Sequence, residues 1–311
     1  MGIIEYSGSR YLTAKTTVDD RALNKDVVEC LRAEVASMGE PMPRVLEIGA
    51  GLGTMIARLV DWRVIQRAEY WLLDVDARML VESRSWLSEW AERRGYTHEQ
   101  GPETLRIVGA GGVELVIRTR EGELGNILDG EPAPPRADLL VANAVLDLVD
   151  VPRILPRLLD LVVPNGLYWF SINYDGETIF EPPHADDEAF MRVYNRSMDE
   201  RVRYGRPAGD SKTGRRLFKH LDTAGAPVVA AGASDWVVHP RNARYEADEA
   251  YFLHHIIFTI DEELQKHAEI DRRARATWVA LRHAQVEAGR LVYVAHQLDF
   301  AGRRARAEAR S

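Results

Sequence analysis

An α/β fold is what this sequence predicts: a mostly parallel sheet with helices on both faces. Three observations carry that reading. The stretch Arg44-Val45-Leu46-Glu47-Ile48-Gly49-Ala50-Gly51-Leu52-Gly53-Thr54 reads as a buried strand, a glycine turn and a helix start. A second apolar run, Tyr70-Trp71-Leu72-Leu73-Asp74-Val75-Asp76, ends in acids, and a third, 137–143, ends at Asn143. Helical stretches at 53–62 and 77–94 follow the first two runs, an alternation that points to strand–helix–strand units.

The other elements follow in order. Residues 18–38 read as one helix, with Asp19 and Asp20 favouring its start and Leu23, Val27, Val28, Leu31 and Val35 at helical spacing. Pro41-Met42-Pro43 closes it. Residues 105–108 and 113–117, joined by Gly109-Ala110-Gly111-Gly112, read as a hairpin that supplies a core strand and an extra one. Pro132-Ala133-Pro134-Pro135 is a linker before the strand at 137–143. Residues 186–203 read as a helix with Phe190, Val193, Tyr194 and Met198 on one side, then a loop at 205–214 and a helix at 217–224. Residues 234–238 and 254–260 read as the last two strands, and 261–310, rich in Ala and Arg, as helical.

A chain of 311 residues can form one elaborated domain or two. Its composition, 46% hydrophobic and 28% charged, is that of a soluble globular protein. A formal charge of -8 argues against broad contact with a nucleic-acid backbone. Cys30 is the lone cysteine, so an internal disulfide is excluded and a reducing, cytoplasmic setting is expected. Met1-Gly2-Ile3-Ile4-Glu5-Tyr6 lacks the start of a signal peptide, and no apolar run approaches a membrane span.

The glycine run discriminates among ligands. A dinucleotide turn wants G-x-G-x-x-G; here the pattern is Glu47-x-Gly49-x-Gly51-x-Gly53, opened by an acid. It resembles motif I of the class I S-adenosylmethionine-dependent methyltransferases. Asp74, 21 residues after Gly53, begins Asp74-Val75-Asp76-Ala77-Arg78-Met79-Leu80, which resembles the family's acidic second motif. Residues 137–149 look like its fourth strand and loop, and Leu161-Val162-Val163-Pro164-Asn165-Gly166-Leu167 like its P-x-G turn before a fifth strand. The resemblance covers residues 44–175.

The resemblance implies a Rossmann-like, seven-stranded sheet with an antiparallel last strand pair. It divides the chain into an N-terminal helical lid (1–43), a cofactor-binding core (44–175), a helical cap insertion (176–226), the last strands (227–260) and a C-terminal helical segment (261–311). The implied reaction is methyl transfer from S-adenosylmethionine to an O or N atom of a small molecule. Glu47, Gly49, Ala50, Gly51 and Gly53 would shape the methionyl site, Asp74 would hold the ribose, and Val75, Asn143 and Ala144 would flank the cofactor. Lys15 or Arg21 would pair with its carboxylate. Asp147, Tyr174 and His184 are the candidate catalytic residues, and no metal is expected. A basic stretch (Arg201, Arg203, Arg206, Lys212, Arg215, Arg216, Lys219) either caps the pocket and binds an anionic substrate or is a solvated face. The basic end (Arg303, Arg304, Arg306, Arg310) reads as a solvated or oligomer-contacting helix. Neither a nucleic-acid nor a membrane partner is expected; a homodimer is left open.

Two alternatives stand beside this reading. An NAD(P)-dependent oxidoreductase or nucleotide-sugar enzyme would want a Tyr-x-x-x-Lys or similar set, and none follows the fourth strand. A protein that binds S-adenosylmethionine without turnover needs no catalytic residue. Asn143-Ala144-Val145-Leu146 stands where exocyclic-amine methyltransferases carry N/D-P-P-Y/F, and Cys30 precedes the first strand, poorly placed for a pyrimidine C5 nucleophile.

Overall fold

The computed structural model describes residues 6–129, 134–203 and 205–305. Pro132 and Ala133 of the linker, the first five residues, and Arg306 and Arg310 of the basic end lie outside the described residues. Three helices, α1 (Gly8–Ala14), α2 (Thr16–Ala22) and α3 (Lys25–Met38), precede β1 (Arg44–Ile48). Then come α4 (Thr54–Asp61), β2 (Arg67–Asp74), α5 (Ala77–Arg93), β3 (Thr97–Gln100), β4 (Thr104–Gly109), β5 (Val113–Glu121) and α6 (Leu124–Asp129). β6 (Ala137–Asn143), α7 (Val151–Asp160) and β7 (Val162–Glu181) complete the first half of the sheet. The remainder is α8 (Asp187–Asp199), β8 (Val202–Arg203), β9 (Arg206–Pro207), α9 (Thr213–Thr223), β10 (Val228–Ala233), β11 (Trp236–Val238), α10 (Glu249–Leu264), α11 (Arg272–Glu287) and β12 (Val292–Arg303).

The expected seven strands run β5-β2-β1-β6-β7-β12-β10. β5, β2, β1, β6 and β7 are parallel, while β12 is antiparallel to both β7 and β10. The sheet is larger than expected: β4 and β3 extend it past β5, and β11 also pairs with β12. Successive residues of the central strands face opposite layers. Val45, Leu139 and Val141 pack with Leu31, Met55 and Leu59 on one side. Leu46, Ile48, Leu140 and Ala142 pack with Ile154, Leu155 and Leu158 of α7 on the other. Burial on both faces explains why these strands read as apolar runs.

Four expectations need correction. Residues 18–38 are not one helix: α2 ends at Ala22, and Asn24 starts α3 by accepting from the Val27 N–H at 3.0 Å. Asp19 caps nothing; it is buried within α2 and accepts from Trp236 Nε1 at 2.9 Å. Residues 254–260 are helical, inside α10, where Leu253, Ile257, Ile260 and Leu264 are buried at helical spacing. A densely apolar helix buried around most of its girth shows little polar face, so its short segment mimics a strand. The last strand is instead β12, inside the segment expected to be helical. Its run Val292-Tyr293-Val294-Ala295 alternates between half-buried and buried, obscured by the Ala/Arg-rich residues on either side. Lastly, β7 continues to Glu181, so residues 176–181 belong to the sheet rather than to a cap.

Candidate active site

The carboxyl ends of the parallel strands meet in a cavity of about 910 Å³. Ile48 and Gly49 line it from the end of β1, Leu73, Asp74 and Val75 from β2, and Ala144 and Val145 from the loop after β6. In an open parallel sheet, ligands bind outside these ends.

The glycine turn has a conformation and a crowding that exclude side chains. Gly49 has φ +62° and Gly51 φ +53°. A Cβ on Gly49 would lie 2.4 Å from Val145 Cγ2, and one on Gly51 2.8 Å from Leu12 Cδ1. Leu12 belongs to α1, so the N-terminal helices roof the turn. The Gly51 N–H donates to Asp74 Oδ2 at 2.8 Å, and the Asp76 N–H donates to Asp74 Oδ1 at 3.0 Å. A carboxylate offers about four acceptor sites. Two are taken by the backbone, which leaves two for hydroxyls of a ligand.

Glu47 is placed differently from the expectation. It does not line the cavity; it is buried at the end of β1 and accepts from Tyr70 Oη at 2.7 Å. Burial is the main cause that raises its pKa to about 8, against the opposing effect of the Tyr70 hydrogen bond. A carboxyl group whose pKa is raised on folding favours the native state most below its unfolded value, about 4.3. That contribution is lost as pH rises through about 8. We therefore expect Glu47→Gln, which keeps an acceptor for Tyr70, to flatten the decline of thermal stability between the unfolded value of about 4.3 and a pH of about 8. Melting curves at several pH values check this; an equally steep decline in the variant would show that Glu47 is not its source.

Lys15 is buried and pairs with Asp19 Oδ2 at 3.3 Å. Arg21 pairs with Glu249 at 2.6 Å and Glu246 at 3.2 Å, away from the cavity lining. Asn143 Oδ1 accepts from Ser171 Oγ at 2.8 Å, and the Ala144 N–H donates to Ser171 O at 2.9 Å, with Ala144 at φ +55°. These bonds fix the loop after β6. Ala50 and Gly53 close the glycine turn, Gly53 N–H donating to Ala50 O at 2.8 Å.

Asp147 lies on the short 3-10 turn Leu146–Leu148 behind that loop; its neighbours Val145 and Leu148 line the cavity and it does not. Its Oδ1 is buried without a hydrogen-bond partner. Burial raises its pKa to about 6, with Arg201 and Lys15 nearby pulling it down and Asp210 pushing it up. Tyr11 and Tyr194 share this surrounding: the Asp147 charge acts on both hydroxyls, and burial pushes the Tyr194 hydroxyl up to about 12. Tyr174 instead exchanges hydrogen bonds with Thr178 Oγ1 at 3.0 Å and Asn195 Oδ1 at 2.9 Å. His184 lies outside the cavity lining; its N–H donates to Asp187 Oδ2 at 2.7 Å and its Nδ1 accepts from the Asp186 N–H at 3.2 Å. Among the described residues no cluster of His, Cys, Asp or Glu has the arrangement of a metal site.

One part of the cavity was not foreseen. The loop after β5, Gly122 to Ile127, forms one wall, with the Gly122 N–H donating to Asp74 O at 2.9 Å. Its signal in the sequence is slight: a strand ending in Glu121-Gly122. The ribbon β8–β9 forms another wall through Arg203, Arg206 and Pro207, so two arginines of the basic stretch lie at the pocket, as one of its two readings had it.

No family model matches the chain, and no curated protein matches it significantly. Solved structures do. An S-adenosylmethionine-dependent methyltransferase from Thiobacillus denitrificans, in complex with S-adenosyl-L-homocysteine, is 14% identical over 96% of this chain and 99% of that one, TM-score 0.45. Geranyl diphosphate C-methyltransferase from Streptomyces coelicolor is 10% identical over 89% and 79%, TM-score 0.43. Phosphoethanolamine N-methyltransferase 2 from Haemonchus contortus is 11% identical over 96% and 58%, TM-score 0.42.

Proposed function

We propose that this chain is a class I S-adenosylmethionine-dependent methyltransferase acting on an O or N atom of a small molecule. The observation that carries the reading is the Asp74 carboxylate. Two backbone N–H groups hold it in the cavity wall, one from the glycine turn itself, with acceptor capacity left over. A turn whose Gly51 N–H is already given to an acid is poorly prepared for a pyrophosphate. It suits a ligand with vicinal hydroxyls and a cationic end.

The residues present fit such a cofactor. Gly49 leaves the backbone bare beside Val145, and Val75, 64% exposed at the cavity wall, offers apolar surface to a purine. The cavity falls in the upper part of the range for a drug-sized ligand, about 300–1,000 Å³. When bound, S-adenosylmethionine supplies a methyl group on a sulfonium whose sulfur departs as a thioether. The chain then has to position, exclude water and accept a proton. Leu12 over the glycine turn excludes water. The Asn143–Ser171 pair fixes the loop beside the reacting end. The unpartnered Asp147 oxygen accepts the hydrogen bond, and then the proton, of the nucleophile. Cys30 as lone cysteine supports a cytoplasmic setting.

Calorimetric titration with S-adenosylmethionine, S-adenosylhomocysteine and NAD(H) tests the reading on wild type and Asp74→Ala. The first two ligands should bind at micromolar concentration. The variant should bind them about 1–3 kcal/mol more weakly, the cost of losing hydrogen bonds to a charged group. A preference for NAD(H), or indifference to the substitution, would overturn it. Binding without turnover of any acceptor would favour a protein that only holds the cofactor.

A further inference from the structure

We propose that the acceptor carries a phosphate or carboxylate group, held by Arg153, Arg203 and Arg206 at the wall of the cavity. The proposal rests on the cofactor reading above and names the substrate class of the same site. The three arginines come from α7, β8 and β9, yet all line the one cavity that contains Asp74.

Their charges are unmatched. Among the described residues, none of the three side chains makes an ion pair, although most arginines of this chain do. Of the acids lining the same cavity, Asp129 alone among the described residues makes an ion pair. Asp74 holds two backbone N–H groups, Glu123 accepts from the Asn126 N–H at 3.0 Å, and Asp129 pairs with Arg157. Asp150 has no capping hydrogen bond. Among the described lining residues, three arginines thus stand without an ion pair, and so do the acids Asp74, Glu123 and Asp150.

The ribbon supplies an independent argument. β8 and β9 pair over only two residues each, with Arg203 directly opposite Arg206. Like charges directly opposite on neighbouring strands destabilise the pair, and an isolated two-stranded ribbon has little stability to lose. A like-charged pair at this position is relieved by an anion between the two guanidiniums. Arginine's planar fork of donors matches phosphate and carboxylate oxygens. The ribbon is also tied to the proposed reacting centre: the Ala208 N–H donates to Arg201 O at 2.8 Å, and the Asp210 N–H to Asp147 O at 3.4 Å.

The test uses the protein saturated with S-adenosylhomocysteine, titrated with phenyl phosphate, benzoate and a single-stranded RNA oligonucleotide. The three arginines are exposed, so the Arg153→Gln/Arg203→Gln/Arg206→Gln variant should fold, which near-UV circular dichroism verifies. One of the two small anions should bind wild type, and at least about tenfold more weakly the variant, while S-adenosylhomocysteine binds both equally. Which anion binds separates a phosphorylated acceptor from a carboxylate. Binding of neither, or arginine-dependent binding of the RNA alone, overturns the proposal. So does a parallel tenfold loss of S-adenosylhomocysteine affinity, which would assign the arginines to the cofactor. Failure of wild type to bind S-adenosylhomocysteine at all is a different result and sinks the cofactor reading itself.

Discussion

Asp147→Asn should lower kcat by about 10²–10⁴-fold, the usual loss on removing a positioned general base, with cofactor affinity unchanged. The magnitude follows from the setting of the carboxylate. Its Oδ1 is buried without a hydrogen-bond partner, whereas Glu47 and Asp299 accept hydrogen bonds and Asp19 Oδ2, likewise without one, is met by Lys15 at 3.3 Å. Its pKa of about 6 places an ionised carboxylate at neutral pH, close to the value that makes proton acceptance efficient. Wild-type kcat should therefore fall as pH drops through about 6, and the variant should lack that limb. Stability should move the other way. The folded pKa lies above the unfolded value of about 3.9, so the group favours the native state below that value. The benefit is lost as pH rises through about 6. At pH 8 the asparagine variant should melt higher than wild type while turning over far more slowly. Slower turnover with a lower melting temperature would mean that Asp147 is structural. Unchanged kcat would remove it from the chemistry.

The parts of this molecule that sequence could reveal are those governed by local physics. The glycine turn announces itself because positive φ at Gly49 and Gly51 is written in residue type, and Asp74 because a strand buried on both faces has few reasons to end in an acid. β12 and α10 were exchanged because each depends on what surrounds it. α10 is apolar on most sides because α1, α8 and α11 surround it, and β12 is a strand because β7 and β10 lie on either side of it. Lys15 and Arg21 had the charge to meet a carboxylate; Lys15 instead pairs with Asp19 four residues on, a spacing the sequence carries, while the Arg21 partner Glu249 is set by tertiary packing. His184 contacts its near neighbours Asp186 and Asp187, and Asp187 is in turn held by Arg282, 95 positions on.

That environment yields the largest stability effect in the chain. Arg282→Met should destabilise the protein by about 3–5 kcal/mol, the cost of leaving a buried charge without its partner. The Arg282 side chain is fully buried. It donates to both carboxylate oxygens of Asp187, to Pro182 O at 2.8 Å and to Gln285 Oε1 at 2.8 Å. It also lies over the rings of Phe180 and Trp278. Asp187 opens α8 and additionally accepts from Trp278 Nε1 at 2.7 Å and from the His184 N–H. Methionine fills much of the volume but strands the Asp187 carboxylate between two neutral donors. Because Arg282 is fully buried and Asp187 is only 19% exposed, added salt should change the loss modestly. Urea unfolding with an unchanged m-value measures it, and Arg282→Met/Asp187→Leu should recover part of the loss, since removing both partners leaves no stranded charge. α8 also carries Tyr194, beside Asp147. Arg282→Met should therefore weaken catalysis well below its unfolding temperature, by loosening α8 against the turn that holds Asp147, and Asp187→Leu alone should do the same. A loss under about 1 kcal/mol would show that the buried arginine with all its partners adds little over an apolar side chain of similar volume.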